Sequence, residues 1–413
     1  MSDDILGWSA KQGHILVGGG LLNERQQPQR DFDEEELPHY LLRHGLCLEI
    51  FTRWQRQNIR GGIAGAWNRP LFSGGWKEST DKDTLAFNLQ SPSLFVDLRF
   101  PVDRPQHLSL KTSLADCSLE DLRYLARQHC FSGYSLPSEG GAGSVYTRHH
   151  AIDWNYHPSF PRARPNKWRA EMNTDDFMSF KEHSTTLDVN QIPVYMERWQ
   201  RFGEDSLGEK HFAAMRKRKL PFPSSHTDDT DTDSDTALRQ AVLVVVGCHF
   251  AYALDRRFLP AFQGAPGPGG PALIDYAATT GDRRSAEAYL SLEGSYGRVT
   301  TSSSSSASLT RGAQWQIAKS THPWREGQSL FVARGGAERS TPLLRYIPQG
   351  QTQTLSEVPT AAALSLQWGG YEWSVFENSY SLAELRDMFG AASVLPVCST
   401  GAHGEVRPVK SRL

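Results

Sequence analysis

The sequence predicts a mainly β protein built as two related, antiparallel, barrel-like halves. Three observations carry that expectation. Short runs of β-forming residues separated by turn residues dominate the chain from Leu46 onward, helical periodicity is scarce, and a motif recurs in the same order in both halves. Many short strands with few helices favour an antiparallel barrel or sandwich over any βαβ architecture.

The first β-type runs are LCLEIFTRWQ, TLAFNL and SLFVDLRFP. In the third, Leu94, Val96, Leu98 and Phe100 share one face and Phe95, Asp97 and Arg99 the other. One helix is expected from Ser118 to Gln128, where Ser118 opens an S-x-x-D capping pattern ahead of Leu122 and Leu125. The apolar run from Ala241 towards Tyr252 predicts a buried strand, and its length falls short of the ~20 residues a membrane helix needs.

The recurring motif is Arg53-Trp54-Gln55-Arg56, echoed by Arg198-Trp199-Gln200-Arg201. Downstream, Val96-Asp97-Leu98-Arg99-Phe100 is echoed by Leu254-Asp255-Arg256-Arg257-Phe258. Two anchors in the same order argue for duplication of one supersecondary unit. A second pair, Trp315 and Trp373, each three residues after a glycine, predicts two strands with an inward tryptophan.

With 413 residues, the chain exceeds the ~250 at which a single core stops growing. The expected organisation is an N-terminal arm over 1–45, a first barrel over 46–188, a second over 189–390 and a tail over 391–413. The arm carries one short helix expected near 36–43. Polar stretches at 222–236, 261–285 and 299–310 are expected to be insertions.

Lys and Arg number 44 against 46 Asp and Glu, so no net field favours nucleic acid or an anionic membrane. The five cysteines lack CxxC spacing and argue for a reducing compartment, and the N-terminus lacks a secretory signal, so a cytoplasmic location is expected. There is no GxSxG, P-loop, helix-opening GxGxxG or HExxH, which removes the usual support for several enzyme classes.

At these residues the chain resembles the fungal HRI-type proteins, a family of two calycin (lipocalin-like) barrels in one polypeptide. The resemblance rests on the aromatic-rich strands before Asp97, the Tyr195-Met-Glu-Arg-Trp199-Gln strand taken to open the second half, the Val242-to-Tyr252 run and the terminal strand at Trp373. It covers most of residues 46 to 380. The lipocalin G-x-W signature matches at Trp67 and again at Trp76. The resemblance implies a fold of two tandem barrels and no chemistry.

Candidate ligand-binding residues are Trp54, Arg56, Phe95, Asp97, Arg99, Trp154, Tyr156, Trp199 and Arg201. An indole with a nearby guanidinium suits a barrel lumen, where it either meets a ligand or plugs one end. For Asp97 and Arg99 the strongly apolar opposite face favours a surface ion pair over a polar floor inside the barrel. The densest polar cluster is Arg148-His149-His150-Ala151-Ile152-Asp153-Trp154. Strict alternation puts His149 and Asp153 on one face, and His150, Ile152, Trp154 and Tyr156 on the other. His149 or His150 with Asp153 is the candidate general acid–base pair, weighed against a polar strand at a barrel rim. The spacings match no zinc signature, so neither metal nor cofactor is expected.

The function expected is lipocalin-like binding of a small hydrophobic molecule. An isomerase, cyclase or hydratase of a hydrophobic metabolite is the enzymatic alternative. An interaction scaffold acting on a protein partner through the acidic and serine-rich loops is the third.

Overall fold

A computed structural model describes residues 16–17, 20–21, 63–73, 83–137, 145–154, 166–173, 178–203, 210–219, 239–256, 282–300, 314–331, 342–347 and 355–396. Trp54, Arg56, Tyr156 and Arg257 lie outside the described residues, as do the helix expected near 36–43 and the acidic insertion 222–236. Of the arm, a minimal hairpin is described, β1 (Leu16–Val17) against β2 (Gly20–Leu21).

The fold is mainly β and holds two tandem barrel-like bodies. The first is a closed barrel of eight antiparallel strands: β3 (Gly65–Ser73), β4 (Thr84–Gln90), β5 (Leu94–Pro101), β6 (His129–Pro137), β7 (Val145–Asp153), β8 (Asn166–Met172), β9 (Ser179–Ser184) and β10 (Met196–Arg201). Each strand pairs with its sequence neighbour, and β10 closes the ring by pairing both β9 and β3.

That closure corrects the expected boundary at 188/189. The strand at Tyr195–Gln200 does not open the second half. It returns across the hairpin after β9, where Ser184 N–H donates to Tyr195 O and Val194 N–H to Thr186 O, and completes the first barrel.

The second body is a nine-stranded sheet in the order β15-β14-β13-β12-β11-β18-β17-β16-β19. Its strands are β11 (His211–Lys219), β12 (Ala241–Val246), β13 (His249–Leu254), β14 (Glu293–Thr300), β15 (Gln314–Ser320), β16 (Leu343–Tyr346), β17 (Leu364–Trp368), β18 (Tyr371–Asn378) and β19 (Val394–Pro396). All pairs are antiparallel except β16 with β19, which brings part of the expected tail into the sheet. The apolar run read as one strand is a hairpin, turned at Gly247 (φ 56°), a left-handed conformation glycine adopts without strain.

Among the described residues three α-helices accompany the strands: α1 (Leu119–Leu125), α2 (Arg283–Leu290) and α3 (Leu382–Phe389). The expected Ser118 cap is present, with Asp121 N–H donating to its Oγ over 3.1 Å and Ser118 N–H donating back to Asp121 Oδ2 over 2.8 Å. Sequence reasoning missed α3, although Ser381 and Glu384 form the same reciprocal box. No helix among the described residues is long and apolar enough to cross a membrane.

The second sheet curls around its own core. Phe331 lies 4.8 Å from Trp315 on β15 and 4.9 Å from Trp368 on β17, so one ring joins two distant strands. Phe389 of α3 packs on Phe212 and Trp315 inside the curl. Trp315 and Trp373 both point inward and are buried, as expected.

Between the two bodies lies a shared core. Leu94, Val96, Leu98 and Phe100, on the outer face of β5, pack with Ala213, Met215, Val242, Val244, Val246, Ala251 and Ala253 of the second sheet. Strand β12 is buried on both faces, Val242, Val244 and Val246 towards the first barrel and Leu243 and Val245 towards the second core. Such a strand reads as a continuous apolar run rather than an alternating one. At Gly294 the Leu98 and Cys130 side chains approach the backbone so closely that a Cβ would sit 2.6 Å from Leu98 Cδ2 and 2.8 Å from Cys130 Sγ.

Candidate functional site

Among the described residues, a linked set of buried charges lies inside the first barrel. On β5, Phe95, Asp97 and Arg99 point into the lumen, and Asp97 is fully buried. This corrects the expected surface ion pair. The apolar opposite face is outward, and the second sheet covers it, so both faces of β5 are buried and apolarity could not choose between them.

Asp97 accepts from Arg99 through both oxygens, Nε at 3.0 Å and Nη2 at 3.2 Å, and from Arg148 Nη1 at 3.0 Å. Arg99 extends its Nη1 to Glu197 Oε1 (3.5 Å), which also accepts from Arg69 Nη1 (2.7 Å). Arg148, Asp97, Arg99, Glu197 and Arg69 therefore form one continuous ionic chain across β7, β5, β10 and β3. Burial disfavours the charged form of Asp97, yet Arg99 and Arg148 outweigh it and hold the carboxyl well below the usual carboxylate range. Arg99 moves in the opposite sense, since its carboxylate neighbours outweigh its own burial.

Glu182 on β9 sits beside this chain. Its oxygens accept from Tyr195 Oη (3.2 Å) and Trp199 Nε1 (3.1 Å). Burial, reinforced by Glu197 and opposed by Arg148 and Arg99, pushes it up to about 7. Two carboxylates facing one another in a dry interior do not both ionise readily.

Aromatic rings interleave with these ions. Tyr146 stacks on Trp168 (4.9 Å), Trp168 approaches Phe180 (6.2 Å), and Phe180 stands edge-on to Trp67 (4.7 Å) and stacked on Trp199 (6.3 Å). Arg201 shares the lumenal face of β10 with Trp199 and lies 4.1 Å from the Trp67 ring, its Nη1 donating to Ala64 O (2.8 Å). Burial lowers it to about 10. Gly65 makes room for it, because a Cβ there would run into the Arg201 guanidinium.

Arg148 lies against two rings, its Cζ 4.6 Å from Phe95 and 5.0 Å from Trp168. Only Nη1 is engaged. Among the described residues Arg148 Nε and Nη2 have no hydrogen-bond partner, nor does Trp168 Nε1, and the Arg148 side chain is 4% exposed.

On β7 a bulge changes the expected pattern. Ile152 pairs with Ser132 and His150 with the next residue, Gly133, leaving Ala151 unpaired. The extra residue brings His150 and Asp153 to the same side, Nδ1 to Oδ2 at 2.7 Å, instead of opposite faces. His150 also lies 5.1 Å from the Phe131 ring and 5.6 Å from Phe95. For His149 the backbone pairing with Tyr134 is described and the side chain is not.

Trp154 does not reach the lumen. It is buried in the core between the two bodies, donating to Ala126 O over 3.3 Å, so its expected place beside a ligand is corrected. The bulge again explains this, because it turns Ile152 and Trp154 outward. The structure thus gathers Phe95, Asp97, Arg99, Trp199 and Arg201 in one lumen.

Arg69, Glu182, Glu197 and Trp168 are lumenal residues the sequence reasoning did not select. A usable signal existed on β10, where alternation puts Glu197 on the face of Trp199 and Arg201. In the second body, Trp315, Phe331, Trp368, Trp373 and Phe389 occupy the interior of the curl.

No family model matches the chain, and no curated protein matches it. Among solved structures it is similar to the uncharacterized protein YLR301w from Saccharomyces cerevisiae, at 11% identity and a TM-score of 0.36. That similarity covers 76% of this chain and 98% of the yeast chain.

Proposed function

We propose that the first barrel is a binding module for a small molecule, which lies against the lumenal rings and turns a polar group towards the ionic chain. The observation that supports this is the charged interior itself. A barrel closed only for stability is filled by apolar side chains, because buried ions are at best neutral replacements for well-packed hydrophobic residues. Here Arg69, Asp97, Arg99, Arg148 and Glu197 are placed among Trp67, Trp168 and Trp199. Local rules are broken in this way chiefly at functional sites.

The molecule expected from the sequence is largely apolar, and the rings suit such a body; the ions add a polar group to it. Native mass spectrometry of the full chain purified from its own source tests the proposal. The expected result is a non-covalent adduct released on denaturation, and a bare protein counts against the binding reading.

A second reading rests on the His150–Asp153 contact of 2.7 Å. A carboxylate that fixes the imidazole tautomer equips it for proton transfer, which supports an isomerase, cyclase or hydratase acting on the bound molecule. His150→Gln is then expected to retain the adduct and abolish its conversion. A wild-type protein that leaves the molecule unchanged removes this reading.

A further inference from the structure

We infer that the polar group recognised in the first barrel is a carboxylate, gripped side-on by the Nε–Nη2 edge of Arg148 with the Trp168 indole N–H as a third donor. This rests on the binding reading above.

Arg148 uses one of its two edges for the protein. Nη1 meets Asp97 at 3.0 Å, while Nε and Nη2 meet no acceptor among the described residues. Those two N–H groups point in parallel, and their spacing matches the two oxygens of a carboxylate. The guanidinium also lies against two rings, Phe95 at 4.6 Å and Trp168 at 5.0 Å. A buried charged donor left unsatisfied is unfavourable, and native proteins keep such groups rare. The Trp168 ring is fully buried, and its Nε1 is unpartnered in the same way.

A neutral amide offers one acceptor where the free edge has two parallel donors.

The test uses the full-length protein and a probe series of formate, acetate, propionate, butyrate and benzoate, each beside its matching amide, at constant ionic strength. Thermal unfolding by calorimetry reads binding as a rise in Tm. At least one carboxylate is expected to raise Tm while its amide does not. Arg148→Gln is expected to weaken that carboxylate at least about tenfold, and Arg148→Lys, which keeps the charge but lacks the edge, to do nearly the same. Should both variants fail to fold, Trp168→Phe retains an aromatic ring without the N–H and is expected to weaken binding by about threefold.

Equal stabilisation by acids and amides overturns the carboxylate and leaves the binding module standing. So does a neutral adduct in the native mass spectrum with no response to any acid. If no probe acts and the protein is also isolated bare, both readings fall together.

Discussion

The Glu182→Gln substitution isolates the electrostatics of the barrel interior. An ordinary glutamate titrates at 4.5, whereas Glu182 is held up to about 7 by burial and by Glu197. A group whose pKa is higher folded than unfolded binds more protons in the native state between those two values. Its contribution to stability is therefore complete below about 4.5 and is lost as pH rises through about 7. Each pH unit of that gap corresponds to 1.36 kcal/mol, which gives a ceiling of about 3 kcal/mol lost by pH 8. Glutamine removes the titration and keeps an oxygen for Trp199 Nε1, while the Tyr195 hydroxyl turns to accept from the amide. The variant should match wild type within about 1 kcal/mol at pH 4.5 and exceed it by up to about 3 kcal/mol at pH 8. Urea denaturation followed by tryptophan fluorescence at pH 4.5, 6, 7 and 8 measures the difference, and groups common to both proteins cancel. A difference that does not vary with pH would refute the account of Glu182.

Asp97→Asn leaves Arg99 and Arg148 buried without their shared carboxylate, and a loss of about 3–5 kcal/mol is expected in denaturant titrations; a loss below about 1 kcal/mol would show that the ionic chain is dispensable. Because the Asp97 carboxyl is held below the usual range, its stabilisation is present above an ordinary aspartate pKa and is lost as pH falls, so the variant should show a shallower acid transition than wild type. Gly294→Val drives a side chain into Leu98 and Cys130, and a loss of about 1–3 kcal/mol is expected at the junction of the two bodies, with the rest of the chain folded by circular dichroism. An unchanged Tm in that variant would contradict the close approach.

How much of this was legible depends on what covers each strand. The alternation along Leu94–Phe100 was plain, but the choice of inner face was not, because the second sheet buries the outer one and the lumen buries ions on the other. The pairing of His150 with Asp153 needed the bulge at Ala151, which no periodicity announces. The apolar run Ala241–Tyr252 signals burial, which the structure shows, yet Gly247 within it carries the turn that splits it into two strands. For helix α3, Ser381 and Glu384 carry in the sequence the same reciprocal capping signal that Ser118 and Asp121 carry for α1. The charged lumen was hardest, since its members come from β3, β5, β7, β9 and β10 and meet only when β10 closes the ring.

The double-sided burial of β12 bears on whether either half is an independent unit. Were residues 63–203 produced alone, Leu94, Val96, Leu98 and Phe100 would become a contiguous water-facing hydrophobic stripe, and the remainder of the chain would expose Val242, Val244 and Val246. Large exposed stripes of this kind promote self-association. The first barrel and the sheet that sleeves it are therefore obligate companions, and recombination or truncation between them is expected to yield insoluble fragments rather than two folded modules.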